Sequence, residues 1–373
     1  MKPSLDTLTR FVRRTHWPLL LSVAALLVYG SVVVSSATAG YEAHEAMVRR
    51  HVLGILLGLV FMAVAWAVDY RVLQHWSGPI LTVMTLLLVA VMTPVFGHEA
   101  GGATSWLQVG GVRLFQPSEP AKLMLIVVLA GVIAQYEGRI DEARHLMRIL
   151  AYLAVPLGLI LLQPDLGTGL VFVAIVLGML LVGGMKGRFF VALGLVGVLL
   201  GALVLQAGLL KDYQIDRLVV FINPEVDPMG AGYNLAQSKI AIGSGGLTGK
   251  GLGSGTQSNL NFLPERHTDF IFAVLGEELG FAGTSGLLLL YATMLVSALA
   301  IGAGSKDLYG TLVCCGIVSM WTFQILVNAG MTLGIMPITG IPLPFMSFGS
   351  SFMVTNLAAV GMLLSVHARR YGM

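Results

Sequence analysis

The chain has 373 residues, of which 56% are hydrophobic and 11% are charged, and its formal net charge is +3. Soluble domains carry about one-quarter charged residues, so this composition excludes an ordinary soluble enzyme. The sequence also lacks the basic cluster with interleaved aromatic residues that nucleic-acid binding needs. We therefore expect an all-α polytopic membrane protein.

Apolar runs separated by charged or Gly/Pro breaks predict about ten transmembrane helices, each built around roughly 20 apolar residues. In chain order they cover residues 17–37, 51–68, 77–96, 119–136, 149–163, 167–184, 189–210, 269–300, 307–333 and 351–367. An even number of spans puts both termini on the same side of the membrane.

The distribution of Lys and Arg predicts the orientation of the spans, because cytoplasmic segments carry the excess of basic residues. Thirteen basic residues lie on the side of the termini, and four lie on the short segments opposite. Both termini are therefore predicted to be cytoplasmic. The long loop 211–268 between spans 7 and 8 then lies outside. Its apolar patches and nine glycines between 230 and 255 predict an ordered loop with short helices on the bilayer surface.

Residues 264–270 carry the first candidate for chemistry, at the point where the long loop meets the eighth span. Asp269 is a carboxylate at the lipid–water boundary, and it could act as a general base on a hydroxyl group. The alternative is that Thr268 or Asp269 only caps the eighth helix. The neighbouring Glu265 and His267 favour the functional interpretation.

Ionisable residues at membrane depth form the second group of candidates. Glu119 and Lys122 are three residues apart on one helical face, so they can form an ion pair, either structural or functional. Glu277 and Glu278 lie about two turns into the eighth span and should face the protein interior. Asp165 stands in a tight turn between two spans, where a turn-forming role is the simpler interpretation.

Two glycine- or proline-rich segments leave alternatives open. Residues 243–251 do not fit the spacing of a phosphate-binding loop. Their backbone amides could still hold a diphosphate beside Lys239, Lys250, Arg217 or Arg266, or they could form a flexible turn cluster.

The second segment, residues 340–351, precedes the last span. It either re-enters the membrane and forms one wall of a site or is a plain surface loop.

Taken together, these segments resemble the SEDS family of bacterial cell-wall glycosyltransferases, and most closely its elongation branch. One departure is Phe348, where the family commonly has tyrosine. The resemblance covers nearly all ten spans, and its most specific blocks are residues 223–225, 227–228, 230–234, 237–246, 255–258 and 263–270. Residues 115–119, 163–165 and 342–351 match further blocks of the family.

The resemblance implies a single SEDS-like transmembrane domain over residues 1–373, in the bacterial cytoplasmic (inner) membrane. It implies polymerisation of lipid II, an undecaprenyl-diphosphate-linked disaccharide pentapeptide, into β-1,4 glycan on the extracytoplasmic side. It further implies a class B penicillin-binding protein as partner, together with other membrane proteins of the elongation complex.

The resemblance also implies roles for the candidate residues. Asp269 would be the catalytic base of an inverting transfer, and Glu119 with Lys122 would position or tune the site. The charge of the leaving diphosphate would be stabilised by cations, and His267 and Glu277 would support the site. The candidate cations are Arg217, Lys239, Arg266 and a divalent ion such as Mg²⁺.

A transporter that flips a lipid-linked cell-wall precursor is the alternative from another class. Ten spans and intramembrane Glu119, Lys122, Glu277 and Glu278 would suit it. However, the candidate base and the long loop both lie on the predicted outer face, whereas a carrier needs groups near mid-membrane that both sides can reach. The sequence therefore favours the enzyme.

Overall fold

The structure is a computed structural model that describes residues 15–93, 96–100, 103–109, 112–208, 211–227, 230–260 and 262–370. Four of the basic residues used to predict the orientation, Lys2, Arg10, Arg13 and Arg14, lie outside the described residues. The regular elements, in chain order, are α1 (Trp17–Thr38), α2 (His44–Ala67), α3 (Tyr70–His75), α4 (Ser77–Met92), β1 (Gly97–Ala100), β2 (Ala103–Val109), β3 (Val112–Phe115), α5 (Ser118–Ala134), α6 (Ala143–Leu162), α7 (Leu166–Val182), α8 (Gly187–Gln206), α9 (Asp212–Ile222), α10 (Ala231–Gly245), α11 (Thr256–Asn259), α12 (Ile271–Ala303), α13 (Leu308–Leu333) and α14 (Ser350–Arg369).

Each of the ten predicted spans coincides with one of these helices. Seven helices, α1, α2, α6, α8, α12, α13 and α14, are long and apolar enough to cross a membrane. The helices α4 and α7 are apolar but shorter. The tenth, α5, has 17 residues and includes the Glu119–Lys122 pair. The chain is thus a multi-pass membrane protein with a mostly helical fold.

Two helices begin well before the predicted spans. Helix α2 starts at His44 rather than 51, and α6 starts at Ala143 rather than 149. The additional turns carry charged residues such as Arg49 and Arg144. Hydropathy measures the depth of the apolar layer, whereas helical hydrogen bonding continues into the polar segments above it, so an apolar run underestimates the length of such a helix.

A small antiparallel sheet between α4 and α5 departs from the all-α prediction. Its strand order is β1-β2-β3, with Leu107 opposite Gly97 on one side and Phe115 on the other. The sequence has Gly-Gly pairs at 101–102 and 110–111, which are hairpin signals that hydropathy alone overlooks. The sheet brings β2 to the end of the bundle where the long loop lies.

The helices differ greatly in how much protein surrounds them. Helices α13 and α14 form the interior, with α14 packed chiefly along α2 and α13 packed against α7, α12 and α5. By contrast, no residue of α8 is buried. The apolar surface of α8 is therefore not covered by the rest of this chain.

The long loop is ordered, as predicted, and contains helices α9, α10 and α11. Helix α10 packs on α12 and α13 rather than on the bilayer, which corrects the prediction of surface helices for this part of the loop. A second apolar core holds the loop in place; its members include Val220, Leu235, Leu263, Phe270 and Met331. The loop is therefore part of the folded bundle.

Helix α12 is broken at Gly280, where the backbone adopts φ 62° and ψ −159°. The glycine-rich segment 245–251 packs into this break. Phe281 N donates to Gly246 O at 2.9 Å, and Ala282 N donates to Leu247 O at 3.0 Å. A Cβ at position 280 would lie 2.4 Å from Gly249 N, so only glycine fits there.

At the same break, two of the backbone amides that the sequence suggested for diphosphate binding donate hydrogen bonds to α12. Lys250 N donates to Glu277 O at 3.0 Å, and Gly251 N donates to Glu278 O at 2.9 Å. These two N–H groups are therefore not available to a ligand. Gly245 and Gly249 serve the close approach of two backbones, because a Cβ on either residue would clash with a carbonyl oxygen of α12.

Candidate active site

A cavity of about 500 Å³ opens at the end of the bundle that carries the long loop. Four of the eight candidate site residues line it: Asp269, Arg217, Glu119 and Lys122. Several blocks of the resemblance supply its walls, and further lining residues include Trp106, Gln116, Asp165, Glu265, Thr268, Thr339, Gly340 and Ser351.

Asp269 is not a helix cap, so that alternative is wrong. Helix α12 begins at Ile271, its N-cap residue is Phe270, and no side chain donates or accepts a capping hydrogen bond. The Thr268 hydroxyl instead donates to the Glu265 carboxylate at 3.0 Å. The Asp269 side chain therefore makes no capping hydrogen bond and lines the cavity.

The surroundings of Asp269 favour its protonated form more than water does. Burial raises the pKa of the Asp269 carboxyl to about 6, the Glu265 carboxylate adds to this rise, and the Arg217 guanidinium opposes it. No described residue donates a hydrogen bond to the carboxylate. A partly buried carboxylate with a pKa close to the working pH is suited to accept a proton from a hydroxyl group.

Glu119 and Lys122 form the ion pair that their spacing predicts. Lys122 Nζ lies 2.8 Å from Glu119 Oε1, and the two side chains are 3% and 5% exposed. The ammonium group also lies 5.4 Å from the centre of the Phe352 ring. Glu119 Oε2 is buried without a described partner, so the pair retains one acceptor for a further hydrogen bond.

Arg217 provides a second cation in the cavity. It lies on α9, where its guanidinium group is 5.6 Å from the centre of the Tyr213 ring. A Cβ built on Gly340 would lie 3.2 Å from Asp269 Oδ2 and 3.9 Å from an Arg217 Nη atom. Arg217 and Asp269 thus approach the same glycine, and a ligand there would contact both an acid and a cation.

Asp165 caps a helix, which confirms the turn-forming role predicted for it. Its Oδ1 accepts a hydrogen bond from Thr168 N at 2.9 Å, and its Oδ2 accepts one from the Thr168 hydroxyl at 2.8 Å. This cap begins α7 at the edge of the cavity, so Asp165 also shapes the wall.

Arg266 and His267 lie outside the cavity. Arg266 is 1% exposed; its Nε donates to Ala37 O at 2.7 Å, and its guanidinium group is 4.4 Å from the centre of the Tyr41 ring. The His267 ring contacts Tyr41 and Phe348, and burial lowers its pKa, so it is neutral at pH 7. Both residues connect the loop to its neighbours.

Lys239 and Glu277 do not line the cavity either. Lys239 is exposed on α10, beside Gly334 at the end of α13. Glu277 is fully buried, and its Oε1 accepts hydrogen bonds from Lys250 Nζ, Thr256 Oγ and Gln257 N at 2.8–3.0 Å.

Glu278 is also fully buried. Its carboxylate accepts a hydrogen bond from Ser36 Oγ at 2.6 Å. Both glutamates of the eighth span therefore face the interior, as predicted from their depth.

The structure adds residues that sequence reasoning missed. Trp106 and Gln116 line the cavity, and the hairpin signals around β2 could have drawn attention to Trp106. Asn328 is a fully buried amide in an apolar helix, which is itself a signal for a functional or structural role. Residues 340–351 contribute to the wall of the cavity, so the plain surface loop is the wrong alternative for them.

The described residues do not form a metal site by themselves. No group of three or more His, Cys, Asp or Glu side chains in the described part of the chain is close enough together to hold a metal ion. Hard divalent cations need several oxygen ligands.

Known proteins resemble the chain over almost its whole length. A family model described as "Cell cycle protein", covering FtsW, RodA and SpoVE, matches residues 15–372. The chain is 40% identical over 367 residues to the peptidoglycan glycosyltransferase MrdB of Escherichia coli (strain K12), and the match covers 96% of each chain. It is 39% identical over 352 residues to stage V sporulation protein E of Bacillus subtilis (strain 168), covering 93% of this chain and 94% of that protein.

Solved structures also resemble the chain over almost its whole length. One structure is described as "Structural coordination of polymerization and crosslinking by a peptidoglycan synthase complex". It superposes with a TM-score of 0.81 at 33% identity. Another is the rod shape determining protein RodA of Thermus thermophilus, with a TM-score of 0.71 at 31% identity. Each match covers 96% of this chain and 98% of the other.

Proposed function

Because the chain belongs to the FtsW/RodA/SpoVE family and is a peptidoglycan glycosyltransferase, we propose that it polymerises lipid II into β-1,4 glycan strands during cell elongation. The observation that carries this proposal is the cavity itself. Asp269, to which no described residue donates a hydrogen bond and whose pKa burial raises to about 6, shares it with the cations Arg217 and Lys122.

Asp269 acts as the general base. It takes the proton from the 4-hydroxyl of the acceptor sugar while that oxygen attacks the anomeric carbon of the donor. The bond between the anomeric carbon and the diphosphate oxygen breaks, the anomeric configuration inverts, and undecaprenyl diphosphate leaves. Negative charge grows on the leaving diphosphate, and Arg217 stabilises it through charge-assisted hydrogen bonds.

The Glu119–Lys122 pair tunes the other side of the cavity. Because the pair is almost completely desolvated, its field acts at short range with little screening by water. Glu119 holds Lys122 in place, and its Oε2, which has no described partner, can accept a hydrogen bond from a sugar hydroxyl.

The excess of basic residues near the termini supports an orientation in the cytoplasmic (inner) membrane with the cavity on the extracytoplasmic side. The similar peptidoglycan synthase complex supports a crosslinking partner, and we infer a class B penicillin-binding protein within a larger elongation complex. A substrate with a lipid tail suits a cavity at the end of a bundle of membrane helices, where the lipid can stay in the bilayer while the sugar reaches Asp269.

The test is glycan synthesis from purified lipid II in detergent, with the chain bound to its partner. The parent should make polymer, whereas Asp269→Asn and Asp269→Ala should make no detectable polymer in the same incubation although they fold and bind the partner. Asp216→Asn is the matched control, because Asp216 is exposed on the same loop and does not line the cavity. Added EDTA or Mg²⁺ tests for a divalent cation that joins the substrate.

Detergent removes the second compartment, so transport cannot imitate polymerisation. Polymer from the parent and from both Asp269 variants would keep the enzyme but contradict the assignment of the base. No polymer from the folded, partner-bound parent would contradict the enzyme and favour a flippase of the lipid-linked precursor.

A further inference from the structure

Two buried polar side chains hold the backbone that carries the catalytic carboxylate. Asn328 on α13 is fully buried, and its Nδ2 donates to Asp269 O at 2.9 Å and to Ile341 O at 2.8 Å. Ser347 is also fully buried; its hydroxyl donates to Thr268 O at 2.6 Å and accepts from Leu343 N at 2.8 Å.

These hydrogen bonds join two neighbouring segments of the cavity wall, residues 265–269 and residues 337–348. A third bond runs between them, from Phe348 N to His267 O at 2.9 Å. The carbonyl groups of three consecutive residues, 267 to 269, therefore all accept hydrogen bonds, two from residues 347 and 348 and one from Asn328 on α13. Neither Asn328 nor Ser347 lines the cavity, so both act from behind the wall.

Backbone strain in both segments shows why such bonds are needed. Glu265 has φ 51° and Phe345 has φ 62°, a left-handed conformation that costs energy for residues other than glycine. Strained residues keep such a conformation only where the surrounding contacts over-determine it. The bonds from Asn328 and Ser347 supply these contacts at the turn that delivers Asp269.

The chemistry of the two side chains matches this role. An asparagine amide has two N–H donors in one plane, so a single side chain can bond two carbonyl groups and fix the distance between them. Asn328 does so for Asp269 and Ile341, and Gly340, the neighbour of Ile341, lies against the Asp269 carboxylate. A change in either bond would alter the width of the cavity at the carboxylate.

We propose that Asn328 and Ser347 are positioning residues for Asp269, which set the place of its carboxylate without touching the substrate. This inference rests on the proposed role of Asp269 as the base. A misplacement of about 1 Å in a reacting group can cost on the order of a hundredfold in rate. We expect Asn328→Leu, which keeps the size but removes both donors, to lower kcat about tenfold to a hundredfold.

The kinetic test compares Asn328→Leu and Ser347→Ala with the parent in glycan synthesis. For a positioning role, kcat falls, KM for lipid II stays within about twofold, and the pH midpoint of the rate is unchanged. Gln324→Leu is the matched control: Gln324 is fully buried on the same helix, one turn earlier, and both its amide atoms lack a described partner. It should keep the parental kcat.

A second measurement, hydrogen exchange, does not depend on activity. The amides of residues 268, 269 and 270 all donate to Glu265 O at 3.1–3.2 Å, so their exchange reports on this turn. Asn328→Leu and Ser347→Ala should exchange faster there, and Gln324→Leu should not.

Unchanged exchange in Asn328→Leu and Ser347→Ala would overturn the proposal, as would an equal loss of kcat in Gln324→Leu. The parent could also make no polymer while Asn328→Leu and Ser347→Ala exchange faster than it does. That result would support the positioning role and contradict only the proposed function.

Discussion

Two carboxylates eight residues apart, Asp269 and Glu277, have completely different surroundings. Asp269 lies two residues before α12 begins, and Glu277 lies near the end of its short first segment, before the break at Gly280. Glu277 is fully buried, and one of its oxygens accepts three hydrogen bonds, including one from the Lys250 ammonium. Asp269 is partly exposed to a cavity, receives no hydrogen bond from a described residue, and has a pKa raised to about 6.

The comparison shows that depth in a membrane protein does not identify the reactive group. Both residues are carboxylates in or next to an apolar span, and the deeper one is the stronger candidate by the rule that intramembrane charges are functional. Glu277, however, has its charge neutralised by Lys250 and its acceptor oxygen filled. A carboxylate that is buried without hydrogen-bond partners lowers the stability of the fold, and such groups are found at functional sites. Asp269, to which no described residue donates, is therefore the carboxylate available for chemistry.

The largest expected effect is on the rate, and it should separate the two carboxylates. Asp269→Asn removes the base and should lower glycan synthesis about 10²- to 10⁴-fold, the usual contribution of general base catalysis. Glu277→Gln should lower kcat much less for the fraction that remains folded. Measurement of kcat per folded molecule checks this, and equal losses in both variants would end the distinction.

The next largest effect is on stability. Lys250→Met leaves Glu277 buried without its cation, which costs about 3 kcal/mol of folding free energy, at the lower end for buried pairs because the lysine side chain is 27% exposed. Thermal unfolding in detergent measures the loss. The double variant Lys250→Met/Glu277→Gln should recover part of it, and no recovery would show that the pair does not stabilise the loop through its charges.

The pH dependence of the rate sharpens the contrast further. Asp269 must be ionised to act as a base, and burial raises its pKa to about 6. The rate should therefore be constant above pH 7 and fall about tenfold for each pH unit well below 6. A profile of kcat between pH 4.5 and 8 tests this, and a rate that stays nearly constant down to about pH 5, as the ordinary aspartate pKa of about 4 predicts, would contradict the burial of Asp269.

The smallest effect is expected for a lysine in the same loop that touches neither carboxylate. Lys239 is exposed on α10 and lies outside the cavity. Lys239→Met should change kcat and the unfolding temperature little, because exposed charges contribute at most about 1 kcal/mol. A large loss of glycan synthesis would place Lys239 in the path of the diphosphate.

Local patterns in the sequence were sufficient for the spans and for contacts within one helix. Ten apolar runs gave ten helices, the three-residue spacing gave the Glu119–Lys122 pair, and the turn chemistry gave the role of Asp165. Each of these depends on residues that are close in the chain. The position of Asp269 next to the long loop was also visible.

Contacts between distant residues were not visible in the sequence. Arg266 is one residue away from the cavity-lining Glu265, yet it turns to Ala37 and Tyr41, which are more than 200 residues away. Lys239 and Arg217 are both basic residues of the long loop, and the sequence does not distinguish them. The packing of α10 keeps Lys239 outside the cavity that Arg217 lines. The bonds from Asn328 to Asp269 and Ile341 likewise require the complete bundle.

The break in α12 has a consequence for biosynthesis. Residues 271–303 are apolar enough to enter a bilayer as one continuous helix, and the segment 245–251 that completes the break is translated before them. Until the two meet, the N–H groups of Phe281 and Ala282 have no carbonyl from that segment to bond, and an unbonded amide is costly in hydrocarbon. We therefore expect the kink to form after translocation, as a late step of maturation, so that a newly inserted molecule becomes competent only once its loop has docked.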